Sequence, residues 1–318
     1  MVSGQPLRVV FFGTPEFAVP TLDALLASRH RVRGVVTQPD RPRGRGQRTS
    51  DSPVKTRAVA AGVPVLQPFS LKDSAFVPAL QSLQADLGVV AAYGKILTDS
   101  VLAVPRLGML NVHASLLPRH RGAAPVHRAI LAGDVETGVT IMRVVKALDA
   151  GPMLAAAGRP IGPDETSEDV ERDLASLGAS LLVRTLDDLA NGESRETPQD
   201  DSRATYAHRL VKEDGVINWE WPARRVHNQV RGLHPWPHAF TFHGGSRLIV
   251  LRTSVPDKPA DRPPGTILAA RGDELSIATG DGTLDIIQLQ AEGKRPMTPR
   301  EFLAGHRLPQ GERFSPAP

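Results

Sequence analysis

Two rhythms of apolar and polar residues alternate along the first two-thirds of the chain: short unbroken apolar runs, and segments in which apolar residues recur every three or four positions. Val9-Val10-Phe11-Phe12, within Arg8–Gly13, reads as a strand buried on both faces. Gly13-Thr14-Pro15-Glu16 then turns into a helix, with Thr14 as its cap, Pro15 in the first helical position and Phe17, Leu22, Leu25 and Leu26 facing inward. Val32–Thr37 is the next strand, so the chain opens β-α-β with a parallel sheet. The same alternation predicts strands over Pro64–Leu66, Leu87–Ala91, Met109–Val112, Gly138–Val145 and Met153–Arg159, and helices over Ser52–Ala61, Phe76–Leu83 and Pro125–Ala132. The longest helical pattern is Ser167–Asn191. Val170, Leu174, Leu177, Leu181, Leu182, Leu186 and Leu189 recur along it, Thr166 or Ser167 can cap it and Gly192 stops it.

Arg195–Arg203 is polar and loop-like, and beyond Tyr206 the pattern changes. All three tryptophans lie there, as Trp219, Trp221 and Trp236. A short helix over Ala223–Gly232 precedes short β runs at Arg247–Thr253, Thr266–Ala270, Glu274–Ala278 and Thr283–Gln290, and Pro299–Gly305 closes the chain as a helix. The reading is an α/β domain with a mostly parallel sheet over residues 1–194, a linker over 195–205, and a small β-barrel domain over 206–318.

Composition narrows this picture. No apolar run approaches the ~20 residues of a membrane helix, and Met1-Val2-Ser3-Gly4-Gln5-Pro6 lacks a signal-peptide pattern. The absence of cysteine excludes disulfides, thiolate metal sites and a cysteine nucleophile, and a cytoplasmic protein is expected. The net charge of +4 lies entirely in residues 203–318, consistent either with a polyanionic partner or with composition alone. Gly13 is the only glycine of the first turn, so the three-glycine dinucleotide fingerprint is missing. Gln38–Arg48 carries Arg41, Arg43, Arg45 and Arg48 among Gly and Pro, and is expected to be a basic loop. Either it contacts phosphate or it is merely solvated.

The densest candidate chemistry lies between Leu110 and Gly151. Asn111 and His113, two apart at a strand end, share one face. Asn brings an amide donor, and His a proton near neutral pH. Asp149 follows a second β run and can return beside the histidine. The Pro- and Gly-punctuated Ser115–Pro125 loop is too specialised for a plain turn. Tyr93-Gly94 ends another strand, where open parallel sheets bind ligands. No histidines stand at H-E-x-x-H spacing, so no metal is expected.

Several segments together resemble the folate-dependent formyltransferases, and among them the methionyl-tRNA formyltransferases. These are Phe12-Gly13-Thr14-Pro15-Glu16-Phe17, Thr37-Gln38-Pro39-Asp40-Arg41-Pro42, Ala92-Tyr93-Gly94, Asn111-Val112-His113, Ser115-Leu116-Leu117-Pro118, Arg121-Gly122-Ala123-Ala124-Pro125, Thr137-Gly138-Val139-Thr140-Ile141-Met142 and Leu148-Asp149-Ala150-Gly151. The resemblance implies a Rossmann-like catalytic domain, an OB-like C-terminal barrel, 10-formyltetrahydrofolate as formyl donor and initiator methionyl-tRNA as acceptor. It implies that Asn111, His113 and Asp149 are catalytic, that Ser115, Leu116, Leu117 and Pro118 bind folate, and that Arg45 engages the acceptor stem. Ala147-Leu148-Asp149-Ala150-Gly151-Pro152 departs from the usual Gly-Leu-Asp-Thr-Gly-Asp but keeps the carboxylate.

On that footing Asn111 donates to the developing oxyanion. His113 assists as a cation and as acid–base group, and Asp149 raises the His113 pKa and orients a relay water. Tyr93 and Gly94 complete the folate site. Arg41, Arg43, Arg45 and Arg48 are expected to hold the acceptor stem, and Lys212, Arg224, Arg225, Arg231, Lys294 and Arg295 the tRNA body. Trp236, between two prolines, stacks on a base or packs within the protein. No obligate protein partner or membrane is expected, and the chain is expected to act as a monomer. The rival readings are a formyltransferase for a small amine, such as a nucleotide sugar or glycinamide ribonucleotide, and a catalytically dead tRNA-binding module.

Overall fold

A computed structural model describes residues 4–43 and 48–317. The chain divides into two compact units. The first comprises Met1–Pro125, Glu136–Arg159 and Glu171–Ala207. Its strands are, in chain order, β1 (Arg8–Gly13), β2 (Arg31–Val36), β3 (Arg41–Arg43), β4 (Arg48–Ser50), β5 (Val65–Leu66), β6 (Leu87–Ala91), β7 (Met109–His113), β8 (Arg121–Gly122), β9 (Glu136–Arg143), β10 (Met153–Pro160) and β11 (Tyr206–Ala207). Seven of them form one sheet in the order β10-β9-β7-β6-β1-β2-β5. β1 pairs in parallel with β2 and β6, β2 with β5, and β6 with β7, whereas β9 runs antiparallel to β7.

The unbroken apolar runs form these strands because both faces of the sheet are covered. Val9, Val10, Phe11 and Phe12 are wholly buried. From β1 the chain moves to β2 on one side and later to β6 and β7 on the other. The carboxyl ends at Gly13, Ala91 and His113 therefore lie along one edge, where the order reverses and such sheets bind ligands.

The helices before residue 200 are α1 (Val19–Ala27), α2 (Pro53–Ala60), α3 (Phe76–Ser82), α4 (Asp99–Leu102), α5 (Pro125–Ala132) and α6 (Ser167–Asn191); α5 after Pro125, and α6 up to Val170, belong to the second unit. Thr166 caps α6: its hydroxyl accepts from the Asp169 amide at 3.3 Å, and the Asp169 carboxylate accepts from the Thr166 amide at 3.1 Å. The expected cap at Thr14 is not formed. Pro15 leads into a 3₁₀ turn at Glu16–Ala18, and the Thr14 hydroxyl donates instead to the Tyr93 carbonyl at 3.2 Å. The basic segment expected as a loop contains antiparallel pairing of β3 with β4, apart from the main sheet. A proline is tolerated in a two-stranded ladder of this kind, where each strand is an edge strand.

The second unit comprises Val126–Val135, Pro160–Val170 and His208–Pro318. It holds α7 (Ala223–Gly232), α8 (Pro299–Leu303), and strands β12 (Ala239–His243), β13 (Ser246–Ser254), β14 (Ile267–Arg271), β15 (Glu274–Ala278) and β16 (Thr283–Ala291). These five strands make an antiparallel sheet in the order β12-β13-β16-β15-β14. β12 is absent from the sequence expectations because Pro235 and Pro237 mask its start. The core gathers Trp219, Val226, Val230, Leu248, Ile277, Leu284 and Phe302. The Trp219 indole donates to the Thr241 hydroxyl at 3.1 Å and stacks on Phe314. The segment read as a linker, 195–205, lies within the first unit, where Thr197 bridges Met153. Among the described residues no helix is long and apolar enough to cross a membrane.

Candidate active site

β7 carries the polar pair. Along a strand, Asn111 and His113 project from one face and Leu110 and Val112 from the other. The Val112 face is closed by α6: a Cβ on Gly178 would stand 2.7 Å from Val112 Cγ1 and 3.2 Å from Val139 Cγ1. Asn111 and His113 therefore lie away from α6, at the carboxyl end of the parallel strands. Asn111 is partly exposed, and its side-chain amide makes no hydrogen bond among the described residues. A primary amide left unpaired beside buried polar groups is available to a substrate oxygen.

His113 is buried, with only 5 % of its surface exposed. Its Nε2 lies 3.0 Å from the His120 carbonyl oxygen. A carbonyl can only accept, so Nε2 carries the hydrogen, and the neutral ring has a bare Nδ1. Nδ1 faces Asp149 Oδ2 at 3.7 Å, an ion-pair distance beyond hydrogen-bond reach. Burial lowers the His113 pKa, with the Asp149 charge and the His120 carbonyl pulling the other way. Asp149 raises the His113 pKa in the expected direction, and burial, the larger influence, sets the net direction. The carboxylate does favour the cation, but loss of hydration outweighs it, and the resting ring is a neutral base.

Asp149 sits in a tightly held loop. Its backbone is left-handed, with φ of +46°, a region that Asp tolerates better than most residues. A Cβ on Gly151 would fall 1.9 Å from the Arg143 carbonyl oxygen, so only glycine fits there. The Asp149 carboxylate accepts from the Gly122 amide at 2.8 Å. Gln199 Nε2 donates to the carbonyls of Asp149 and Gly151, each at 2.8 Å. Arg121, 4 % exposed, donates in turn to Gln199 Oε1 and to Asp201. Arg121 and Gly122 stand in the Arg-Gly-x-x-Pro motif, which was legible. Gln199 lies in a polar stretch with no pattern to single it out.

The residues expected to line the folate site take distinct places. Ser115 is fully buried and its hydroxyl donates to the Arg119 carbonyl at 2.6 Å, so it shapes the turn. The turn is fixed again by Thr140, which donates to the Ser115 carbonyl and accepts from the Leu117 amide. Leu116 packs over Gly138 and Gly158, Leu117 is buried, and Pro118 is partly exposed. The Tyr93 ring belongs to the core, edge-on to Phe12, and burial pushes its hydroxyl up to about 12. The Tyr93 backbone faces the strand ends, its carbonyl held by Thr14 and Gln38 Nε2. Gly94 has φ of +82°, and a Cβ there would meet Gln38.

The basic candidates also separate. Arg45 lies outside the described residues, and for Arg41, Arg43 and Arg48 only the backbone of β3 and β4 is described. Lys212, Arg224 and Lys294 are exposed. Arg225 lies over the Trp221 ring at 3.8 Å, and Arg295 pairs with Glu301 at 2.8 Å. Arg231 corrects the expectation of a phosphate contact. It is 7 % exposed and donates to Asn228 Oδ1 and to the carbonyls of Gly162 and Glu165, so it is a structural cation. Trp236 is half-exposed. No group of three or more His, Asp or Glu among the described residues is placed to hold a metal ion.

Comparisons with known proteins show the family. Residues 7–186 match the family model for formyl transferase, and residues 209–307 the model for the formyl transferase C-terminal domain. A methionyl-tRNA formyltransferase of Roseiflexus sp. (strain RS-1) is 47% identical over 315 residues, covering 98% of this chain and 97% of its own. One of Methylococcus capsulatus is 48% identical over 302 residues, covering 95% of this chain and 98% of its own. Among solved structures, an N-formyltransferase from Helicobacter canadensis, in complex with folinic acid and dTDP-3-aminofucose, matches with TM-score 0.68 and 17% identity. It covers 90% of this chain and 99% of its own. HypX from Aquifex aeolicus, in complex with tetrahydrofolic acid, matches with TM-score 0.65 and 17% identity over 96% of this chain and 50% of its own. At these identities the two structures establish a shared fold.

Proposed function

The chain belongs to the formyl transferase family, and from that premise we propose that it transfers a formyl group from 10-formyltetrahydrofolate to the α-amino group of methionyl-tRNA. The observation that carries the site assignment is the unpaired Asn111 amide on the same strand face as a buried, neutral His113 with Asp149 opposite its free nitrogen. The acceptor assignment rests on full-length relatives with nearly half their residues in common. The folate donor supplies a formyl carbon activated towards amines, and the new C–N bond replaces the bond from that carbon to the folate nitrogen.

The residues divide the work. An α-amino group with a pKa of about 7.7–8.0 is present in part as the free amine near pH 7, and when that amine attacks the formyl carbon its nitrogen gains positive charge and must lose a proton, so transfer requires a base. His113 Nδ1 is bare and accepts that proton. Asp149 Oδ2, 3.7 Å away, then faces an imidazolium and stabilises it by charge. The His120 carbonyl keeps the ring oriented through Nε2. His113 returns the proton to the departing folate nitrogen. Asn111 donates its amide to the formyl oxygen as negative charge builds there, a contribution typically of about 10²–10³ in rate. We place the folate against the Ser115–Pro118 turn and the Tyr93–Gly94 backbone. We also read the five-stranded sheet of the second unit as OB-like, and assign Arg41, Arg43, Arg45 and Arg48 to the acceptor stem. Lys212, Arg224 and Lys294, exposed and without described acidic partners, are assigned to the tRNA backbone.

The test is formylation by the purified protein, with methionyl-tRNA, a nucleotide-linked amino sugar and glycinamide ribonucleotide offered as acceptors. Turnover confined to methionyl-tRNA is expected. Preference for either small amine would overturn the acceptor assignment and leave formyl transfer standing.

A further inference from the structure

We infer that Gln199 is a positioning residue for formyl transfer, holding the Asp149 carboxylate opposite His113 through the backbone of the 147–152 loop. The inference rests on the reading of Asn111, His113 and Asp149 as the transfer site.

The Gln199 amide can be oriented in one way only. Carbonyl oxygens accept and guanidinium groups donate, so the nitrogen must face Asp149 and Gly151 and the oxygen must face Arg121. Its two Nε2 bonds, each 2.8 Å long, bracket Ala150. The left-handed turn at Asp149 is a conformation that a non-glycine residue holds only when its surroundings impose it. Two attachments do so, and both come from β8. Gly122 donates directly to the carboxylate, and Arg121 holds Gln199, which holds the backbone. β8 is itself anchored, with the Arg121 amide donating to the Thr205 carbonyl at 2.8 Å and β11 pairing along it. Gln199 thus links a segment remote in sequence to the carboxylate that faces the catalytic base. The distance from Asp149 to His113 is already too long for a hydrogen bond, so nothing in that pair restores the alignment if the loop shifts.

The alternative is that Gln199 only fastens the 195–207 segment to its unit. The two differ in what reaches His113. The charged or titratable groups acting on its ring are Asp149 and His120. Gln199→Met keeps the length and removes both donations without adding charge. Gln199→Glu keeps the Arg121 bonds and loses the same donations, and carries the test should the loss of the Arg121–Gln199 bonds unfold the Met variant. The probe is the His113 ring titration followed by NMR, with folding verified by circular dichroism. Its midpoint should fall in Gln199→Met towards that of Asp149→Asn. In turnover, kcat should fall by about 10²-fold, the scale of a misplaced catalytic group, with the KM for the folate donor little changed. In the Asp149→Asn background the Gln199 substitution should cost no more than about twofold further, because it acts through the group already removed. An unmoved midpoint, or equal costs in both backgrounds, would overturn the inference. Failure of the wild-type protein to formylate methionyl-tRNA would overturn the proposed function instead, and the titration would still decide the role of Gln199.

Discussion

At the scale of single residues, the proposed transfer site depends on protonation and on one free donor. His113 is held neutral by burial, so the base is ready at pH 7 and is lost only when the ring takes a proton. The kcat/KM profile should therefore fall on its acid side below the ordinary histidine value of about 6.5. Asp149→Asn removes a charge that raises the His113 pKa, so this acid limb should move to lower pH while the plateau rate drops. A profile fixed in position by this substitution would show that His113 is not the titrating base. His113→Gln should lower kcat by about 10²–10⁴-fold, the usual range for a lost general base. Single-turnover kinetics would measure this, and near-normal transfer would exclude the assignment. Asn111, His113 and Asp149 could be singled out as candidates because the Pro- and Gly-punctuated Ser115–Pro125 loop follows the first two; the Asn-x-His spacing alone is as often a satisfied loop histidine. The net direction of the His113 shift was not legible. It depends on how much surface is buried around the ring, which a sequence does not display.

At the scale of elements, the parallel strands and α6 were legible because both obey simple periods and burial is strong. Val9–Phe12 could not remain in solvent, and the leucines of Ser167–Asn191 mark one helix face. The weaker elements were not. β8 and β11 are two-residue pairings, and Gln199 lies in Glu196-Thr197-Pro198-Gln199-Asp200, a stretch whose polarity predicts exposure rather than a role beside Asp149. Thr14 illustrates the same limit: a good cap by type, it was drawn away by the Tyr93 carbonyl. The contact of α6 with β7 makes a direct prediction. In an isolated helix Gly178→Ala would stabilise by about 1 kcal/mol. Here the new methyl meets Val112 Cγ1 at 2.7 Å and Val139 Cγ1 at 3.2 Å, and both neighbours are stiff β-branched side chains on strands. Overpacking of this kind costs about 1–3 kcal/mol. The net effect should be a lower melting temperature, together with reduced turnover as β7 shifts. Calorimetry showing a gain in stability would contradict the close packing of α6 on the strand that carries the site.

At the scale of the whole molecule, buried and partly buried histidines couple stability to pH. His30, His113, His227 and His238 have pKa values lowered chiefly by burial, and His127 is lowered to about 4 for the same reason. The unfolded chain takes up protons below about 6.5 that these folded residues refuse, so stability rises with pH across that window and levels off above it. The melting temperature should fall steadily between pH 6.5 and pH 4.5, before paired carboxylates such as Asp86, held low by Arg8, begin to protonate. A melting temperature constant over that range would contradict the burial of these rings. For the reaction, the most direct measurement is single-turnover formylation of methionyl-tRNA by the wild-type protein and Asn111→Ala, with folate-donor binding measured alongside. Transfer slowed by about 10²–10³-fold with donor binding retained is the outcome predicted for an amide that acts on developing oxygen charge. Transfer within a few-fold of the wild-type rate would contradict the assignment of this strand end as the formyl-transfer site.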